Sequence, residues 1–221
     1  MKLARRSRFA IFDLDGVLLD TEPLYTDATA QVAARFGKKY DWSIKRDCVG
    51  RGTLEAARII VDALALPLSP EALVLERDRV LVDLVARAPA IAGAEAFTRA
   101  LAERGIPMAI ATSTEAPLFA IKAARNRDWL AIFRAAVCGD DPRVTRSKPA
   151  PDIFLAAAQD LGAPPADCLV FEDSPFGVEA ARAAGTQVIA LPDPAMDRAR
   201  YAPADAIVAG FGELALDRLG F

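Results

Sequence analysis

Short apolar stretches alternate with segments of helical periodicity over the second half of the chain. The apolar stretches are PMAIAT, AAVC, CLVFED, QVIAL and DAIVA, and they are separated by runs such as APDIFLAAAQDLG and PFGVEAARAAG. This alternation predicts an α/β fold, a parallel sheet with helices on both faces. Gly105, Gly162 and Gly185 stand where a left-handed residue would end a helix, and Pro151 suits a first helical turn.

An opening apolar strand at residues 8–12 belongs to the same set, but the next strand begins only near residue 107. This separation far exceeds a βαβ unit, which takes ~30 residues or more. The surplus has helical periodicity: one helix is predicted at 23–36 and a second at 54–66, and a third has Ser69 as its N-cap.

We therefore predict two structural units. A core is formed by residues 1–19 and 89–221, and residues 20–88 form a small helical domain inserted after the first strand. With 221 residues and 53% hydrophobic residues, the chain is long enough for one substantial core and a smaller second unit.

Charge and cysteine content narrow the classes of partner. The net charge of -3 argues against binding to nucleic acid or to an anionic membrane. Cys48, Cys138 and Cys168 lie far apart, so neither a disulfide framework nor a thiolate zinc site is predicted. No apolar run approaches the ~18 residues of a membrane span. We expect a cytoplasmic protein without a targeting peptide, and a monomer is favoured.

The chain contains no histidine. Catalysis by Ser-His-Asp or Cys-His groups and metal binding through histidine are therefore excluded within this chain. Any acid-base or metal chemistry has to use carboxylates.

Polar residues collect where the predicted strands end, which is where open parallel sheets bind ligands. They are Asp13 and Asp15 after the first strand, Thr112 and Ser113 after PMAIA, Lys148 in the loop SKPAP, and Glu172 with Asp173 after CLVF. Lys148, the Thr112 hydroxyl and backbone N–H groups at a helix start would hold a phosphate.

Each motif alone also has a structural explanation. Asp-Gly between apolar residues signals a hairpin turn, Thr-Ser and Glu-Asp-Ser-Pro are typical of helix N-caps, and a lone lysine usually faces solvent. Together they are harder to explain in this way, because four carboxylates at one sheet edge would repel one another. Such a cluster indicates a cation, and a set of oxygen ligands suits Mg²⁺.

These motifs, in this order, resemble the haloacid dehalogenase-like hydrolase superfamily. The signatures stand here as FDLDGVLLD, AIATST, SKPAPDIF and FEDS, and the resemblance covers nearly the whole chain. It implies a Rossmann-like, doubly wound core with an inserted helical cap domain. It also implies a Mg²⁺-dependent phosphatase that acts on a small phosphorylated metabolite.

The resemblance assigns roles to the motif residues. Asp13 would attack phosphorus and form an aspartyl phosphate, and Asp15 would protonate the leaving alcohol and later deprotonate water. Asp13, the Asp15 carbonyl and Asp173 would bind Mg²⁺, with Glu172 as an additional or water-mediated ligand. The transferring phosphoryl group would be bound by the motif residues Thr112, Ser113 and Lys148.

The stretches LLDTEPLY and GDDPRVTRSKPAPDIFLAAA resemble the branch that contains pseudouridine-5'-phosphatase and sugar-phosphate phosphatases. β-Phosphoglucomutases share the core motifs, but Tyr25 stands near the position of their cap-proximal histidine. Mutase activity is thereby weakened and stays open, as does a catalytically silent phosphometabolite-binding protein.

The inserted domain is expected to select the substrate, because a lid contacts the leaving group. The candidates are Glu22, Tyr25, Arg51 and Gly52 from this domain, and Thr114 with Glu115 from the core. Gly50 and Gly52 have a second explanation as a turn between helices.

Overall fold

The sheet consists of parallel strands and has the order β3-β2-β1-β4-β5-β6. The structure is a computed structural model that describes residues 3, 5–49 and 51–221, so Gly50 lies outside the described residues. The strands are β1 (Phe9–Phe12), β2 (Met108–Ala111), β3 (Ala135–Val137), β4 (Cys168–Glu172), β5 (Gln187–Ala190) and β6 (Ala206–Ile207). The predicted α/β fold with a Rossmann-like, doubly wound sheet is confirmed.

Helices fill the connections between the strands. They are α1 (Glu22–Ala34), α2 (Trp42–Lys45), α3 (Thr53–Leu64), α4 (Pro70–Val85), α5 (Ala94–Glu103), α6 (Ala116–Ala123), α7 (Arg127–Leu130), α8 (Asp152–Asp160) and α9 (Pro175–Ala183). The Ser69 hydroxyl accepts a hydrogen bond from the Ala72 N–H, which confirms the predicted N-cap of α4. None of the helices in the described ranges is long and apolar enough to cross a membrane.

Both faces of the sheet are covered, because successive residues of a strand point to opposite sides. Phe12 and Phe171 pack with Phe97 of α5 on one face. Ile11 and Val170 pack with α8 and α9 on the other. A strand that is buried on both faces has a continuous apolar sequence, and for this reason the strands could be predicted from the sequence.

Helices α1 to α4 pack mainly on one another between β1 and α5. Their shared core includes Val32 of α1, Ile60 of α3 and Leu73 of α4. The two segments that join this helical insertion to the sheet run side by side, and the Asp20 N–H donates to the Pro89 carbonyl at 2.9 Å. The predicted division of the chain at residues 19–20 and 88–89 stays a prediction.

Element boundaries differ slightly from the predictions. The helix predicted at 23–36 is α1 and begins at Glu22, and the helix predicted at 54–66 is α3 and begins at Thr53. Pro151 is the residue before α8 and does not lie in its first turn. The short helices α2 and α7, of four residues each, carry too little periodicity to be predicted. Gly105, Gly162 and Gly185 do adopt the predicted positive φ.

The aromatic cluster on one face of the sheet yields a stability prediction. Phe171 is fully buried and stacks on Phe12 with ring centroids 4.5 Å apart. Phe171→Ala should lower the free energy of unfolding by about 3–5 kcal/mol, because it leaves a cavity at the centre of the core. Urea unfolding measures this, and Phe36→Ala, at a side chain that is 37% exposed, is the control. Equal losses in the two variants would contradict the central position of Phe171 in the core.

Candidate active site

The polar residues predicted from the sequence meet at the C-terminal edge of the sheet. Strands β1 and β4 are neighbours in the sheet. The chain continues from β1 to β2 on one side of this pair and from β4 to β5 on the other side. The residues after these two strands therefore line the crevice at which doubly wound sheets bind ligands. Asp13 follows β1, and Glu172 ends β4.

Lys148 joins two of these carboxylates. Its ammonium nitrogen lies 2.6 Å from Asp13 Oδ1 and 2.6 Å from Glu172 Oε1. Burial alone would lower the pKa of this lysine, but the two carboxylates more than compensate and raise the pKa above its usual value. Lys148 therefore carries its charge at the base of the crevice.

Glu172 is held by the start of the following helix. Its Oε2 accepts hydrogen bonds from the Ser174 N–H at 2.7 Å and from the Ser174 hydroxyl at 3.0 Å. A side chain at Gly177 would lie 1.7 Å from Glu172 Oε1, so only glycine fits beneath this carboxylate. The close approach of α9 thus aims Glu172 at Lys148.

Asp13, Glu172 and Asp173 together form a group with the chemistry of a cation site. One carboxylate oxygen from each of the three lies within 4.8 Å of the others. Burial, with added repulsion from neighbouring carboxylates, raises the pKa of Asp13 and raises that of Asp173 well above its usual value. Lys148 alone leaves this group with excess negative charge, and a set of carboxylate oxygens fits Mg²⁺.

A tight turn brings these groups together. Gly16 adopts a φ of +79°, and a side chain there would meet Asp173 Oδ2 at 2.4 Å. Glycine is therefore required at this position both for the backbone conformation and for the close approach.

Asp15 has a different set of partners. Its carboxylate accepts hydrogen bonds from the Thr21 hydroxyl at 2.6 Å and from the Thr114 hydroxyl at 2.8 Å. Lys122 of α6 contacts both carboxylate oxygens, at 2.6 and 2.8 Å. Burial tends to raise the pKa of Asp15, but the Lys122 charge and these hydrogen bonds lower it overall.

A cavity of about 740 Å³ opens between this sheet edge and the helical insertion. The predicted site residues that line it are Asp13, Asp15, Glu22, Tyr25, Arg51, Ser113, Thr114, Glu115, Lys148, Glu172 and Asp173. Thr112 and Gly52 are not among the lining residues. The Thr112 hydroxyl is buried and accepts a hydrogen bond from the Thr114 N–H at 3.1 Å, and Gly52 is the residue before α3.

Comparison with known proteins bears directly on this arrangement. A model of the haloacid dehalogenase-like hydrolase family matches residues 8–185. The chain belongs to this family. The match extends from β1 past α9. It includes Asp13 and Asp15 after β1, Lys148, and Glu172 with Asp173 at the end of β4.

Individual members of the family resemble the chain over most of its length. A protein named (DL)-glycerol-3-phosphatase 1, mitochondrial, from Arabidopsis thaliana is 43% identical over 204 residues, which are 90% of this chain and 68% of that protein. A probable pseudouridine-5'-phosphatase from Drosophila melanogaster is 39% identical over 222 residues, 99% of this chain and 96% of that one.

A solved structure described as a putative β-phosphoglucomutase from Thermotoga maritima is 34% identical, with a TM-score of 0.70. The alignment covers 91% of this chain and 94% of that chain. The predicted family and the predicted enzyme class, a phosphoric monoester hydrolase, are both confirmed. The cytoplasmic location stays a prediction.

Sequence reasoning missed Lys122, which is fully buried although it is a lysine. The available signal was a single charge in the otherwise apolar helix APLFAIKA, four residues after Leu118, which lines the cavity. Tyr201 was missed as well, and its hydroxyl donates to the Asp173 carbonyl at 2.7 Å. Its distance of 28 residues along the chain from Asp173 gave no local signal.

The contact between Lys122 and Asp15 can be tested through stability. Lys122→Met and Asp15→Asn, made singly and together, should show a coupling of about 1–3 kcal/mol, since each partner is left without its counter-charge in a buried site. Urea unfolding of the four proteins provides the cycle.

The matched control is the exposed pair of Arg99 and Glu95, which lie 2.7 Å apart on α5. Its coupling should be only about 0.3–0.5 kcal/mol, because water screens the two charges. A Lys122–Asp15 coupling no larger than that of the control would contradict a buried ion pair.

Proposed function

We propose that this protein is a Mg²⁺-dependent phosphomonoesterase that hydrolyses a small phosphorylated metabolite through an aspartyl phosphate on Asp13. The observation that carries the proposal is the ion pair of Asp13 with Lys148, beside two further carboxylates that line the cavity. A carboxylate next to a fixed cation can accept a phosphoryl group without a histidine. The names of the phosphatase relatives support the same reaction.

The first step transfers the phosphoryl group from the substrate oxygen to an Asp13 carboxylate oxygen. Lys148 offsets charge on the phosphoryl oxygens, and Ser113, which lines the cavity, supplies a further hydrogen-bond donor. The bond between phosphorus and the leaving oxygen breaks, and this oxygen takes a proton from Asp15. Asp15 has to enter this step in its protonated form, which is the minor form because the Lys122 ammonium group favours the ionised one. Among the four carboxylates of the sequence motifs, Asp15 has this duty because it is outside the group formed by Asp13, Glu172 and Asp173.

The second step returns Asp13 to its free form. Asp15, now ionised, removes a proton from a water molecule that attacks phosphorus, and inorganic phosphate leaves. The hydrogen bonds from Lys122 and Thr114 stabilise the ionised form of Asp15, which is the form that this step requires.

The carboxylates of Asp13 and Asp173 and the carbonyl of Asp15 would hold Mg²⁺, with Glu172 as an additional or water-mediated ligand. When bound, the cation neutralises charge on the phosphoryl group and on the crowded carboxylates. The raised pKa values of Asp13 and Asp173 support this assignment, since they reflect burial and, after it, repulsion from neighbouring carboxylates, and a cation would offset both.

A phosphomutase is the second candidate, favoured by the similarity to the putative β-phosphoglucomutase. It would return the phosphoryl group to a second position of the same sugar. Interconversion of a hexose 1-phosphate and 6-phosphate faster than phosphate release would establish this activity. Glycerol 3-phosphate and pseudouridine 5'-phosphate are the first substrates to test for the phosphatase.

The role of Asp13 is tested by Asp13→Asn. Phosphate release from p-nitrophenyl phosphate with Mg²⁺ should fall by at least about 10³-fold, because the amide is not a nucleophile. EDTA should abolish the wild-type activity, and added Mg²⁺ should restore it. Asp83→Asn, an exposed position on α4 outside the cavity lining, should retain full activity. Unchanged turnover in folded Asp13→Asn would rule out the aspartyl phosphate, and no turnover in wild type would favour a silent binding protein.

Asp15→Asn should separate the two steps. The p-nitrophenolate leaving group needs no proton, so the variant should still form the phosphorylated enzyme but hydrolyse it slowly, since the water has lost its base. The expected result is a burst of p-nitrophenolate that matches the enzyme concentration, with the mass of one phosphoryl group added to the quenched protein. If Asp15→Asn turned over steadily without a burst, Asp15 would not be the base.

A further inference from the structure

The cations that the helical insertion brings to the cavity are all paired with carboxylates of the same insertion. Among the described lining residues these cations are Lys45, Arg51 and Arg77. They differ from Lys148, which belongs to the core and faces the nucleophile. Their pairing determines what charge the leaving group of the substrate is able to carry.

Lys45 is held by Glu22 at the start of α1. Its ammonium nitrogen lies 3.2 Å from Glu22 Oε2 and donates a hydrogen bond to the Glu22 carbonyl at 3.3 Å. It also lies 5.8 Å from the centre of the Trp42 ring. The Lys45 side chain is only 12% exposed, so its charge is directed at this carboxylate and ring.

Arg77 and Arg51 are engaged in the same way. Two guanidinium nitrogens of Arg77 donate to Asp78 Oδ1 at 2.9 and 2.7 Å, and Tyr25 lies against its face with the ring centre 5.3 Å away. Arg51 pairs with Glu55 and donates to the Asp47 carbonyl at 2.6 Å. A second anion in the cavity would have to displace one of these carboxylates and would also meet Glu22, Asp78 and Glu115.

From these pairs we infer that the enzyme selects phosphomonoesters whose leaving group is uncharged and carries hydroxyl groups. This inference rests on the proposed phosphatase function. Paired carboxylates and cations offer acceptors and donors to hydroxyl groups without favouring either sign of charge, whereas an added carboxylate or phosphate is repelled. The size of the cavity, about 740 Å³, suits a polyol, a sugar or a nucleoside.

The same pairing argues against the mutase alternative. A mutase that works through a phosphorylated aspartate has to hold a sugar bisphosphate while one phosphoryl group is exchanged for the other. The second phosphate would then lie in the part of the cavity formed by the helical insertion, where Lys45, Arg51 and Arg77 already have carboxylate partners.

The test uses esters that differ in one group. Glycerol 3-phosphate and 3-phosphoglycerate differ only in a CH₂OH group that is replaced by a carboxylate. The wild type should favour glycerol 3-phosphate in kcat/KM by at least about tenfold, because the carboxylate is repelled. Fructose 1-phosphate and fructose 1,6-bisphosphate form a second pair with the same expectation. Equal efficiency within both pairs, or a preference for the more anionic ester, would overturn the inference.

Variants of the carboxylates identify the cause. Glu22→Gln frees Lys45 and Asp78→Asn frees Arg77, so each should shift the kcat/KM ratio at least about threefold toward 3-phosphoglycerate. The control is Glu76→Gln, which breaks pairs with Arg35 and Arg79 outside the cavity lining and should leave the ratio unchanged. A wild-type ratio in both cavity variants would overturn the assignment to these residues.

Binding separates this inference from the proposed function. Dissociation constants of glycerol 3-phosphate and 3-phosphoglycerate for Asp13→Asn, measured calorimetrically with Mg²⁺, report charge selection without turnover. Tighter binding of glycerol 3-phosphate supports the inference even if the wild type hydrolyses no ester, a result that would refute the phosphatase alone. Equal binding, or no binding of either ester, overturns the inference.

Discussion

Repulsion among buried carboxylates is the constraint that the rest of this structure has to satisfy. Asp13, Asp15, Glu172 and Asp173 follow or end neighbouring parallel strands, so the fold forces them together. Two lysines offset the repulsion, Lys148 from the loop after β3 and Lys122 from α6. Both ammonium groups are buried, a costly placement that is stable only because each has carboxylate partners.

The two lysines also divide the carboxylates by chemistry. Asp13 shares Lys148 with Glu172 and lies in the group suited to a cation, whereas Asp15 is bound by Lys122 and two threonine hydroxyls. Burial and the nearby carboxylates raise the pKa of Asp13, whereas the Lys122 charge and hydrogen bonds lower that of Asp15, although only one residue separates the two. Different surroundings thus give two identical side chains different affinities for a proton. The Gly16 turn makes this possible by bringing the chain against Asp173.

The helical insertion completes the site with a different balance of charge. Its cations form ion pairs with its own carboxylates, whereas the core has a carboxylate cluster with the chemistry of a cation site. In the proposed reaction the sheet edge would bind the phosphate, and the insertion would bind the leaving group. The motif residues at the sheet edge were predictable because each follows an apolar strand. Of the residues that set the charge of the insertion, only Glu22 and Arg51 were predicted, since Lys45 and Arg77 look like ordinary surface charges in the sequence.

Apolar runs, helix caps and glycines were sufficient to predict the parallel sheet, the helical insertion and the meeting of Asp13, Asp15, Lys148 and Asp173. These features depend on local periodicity and on a general property of parallel sheets, namely that strand ends converge at one edge. Only the tertiary structure revealed that Lys122 binds Asp15, that Tyr201 supports Asp173, and that Thr112 is buried beneath the cavity. These contacts join residues far apart in the chain through the packing of whole helices and loops, and such packing leaves no periodic pattern in the sequence.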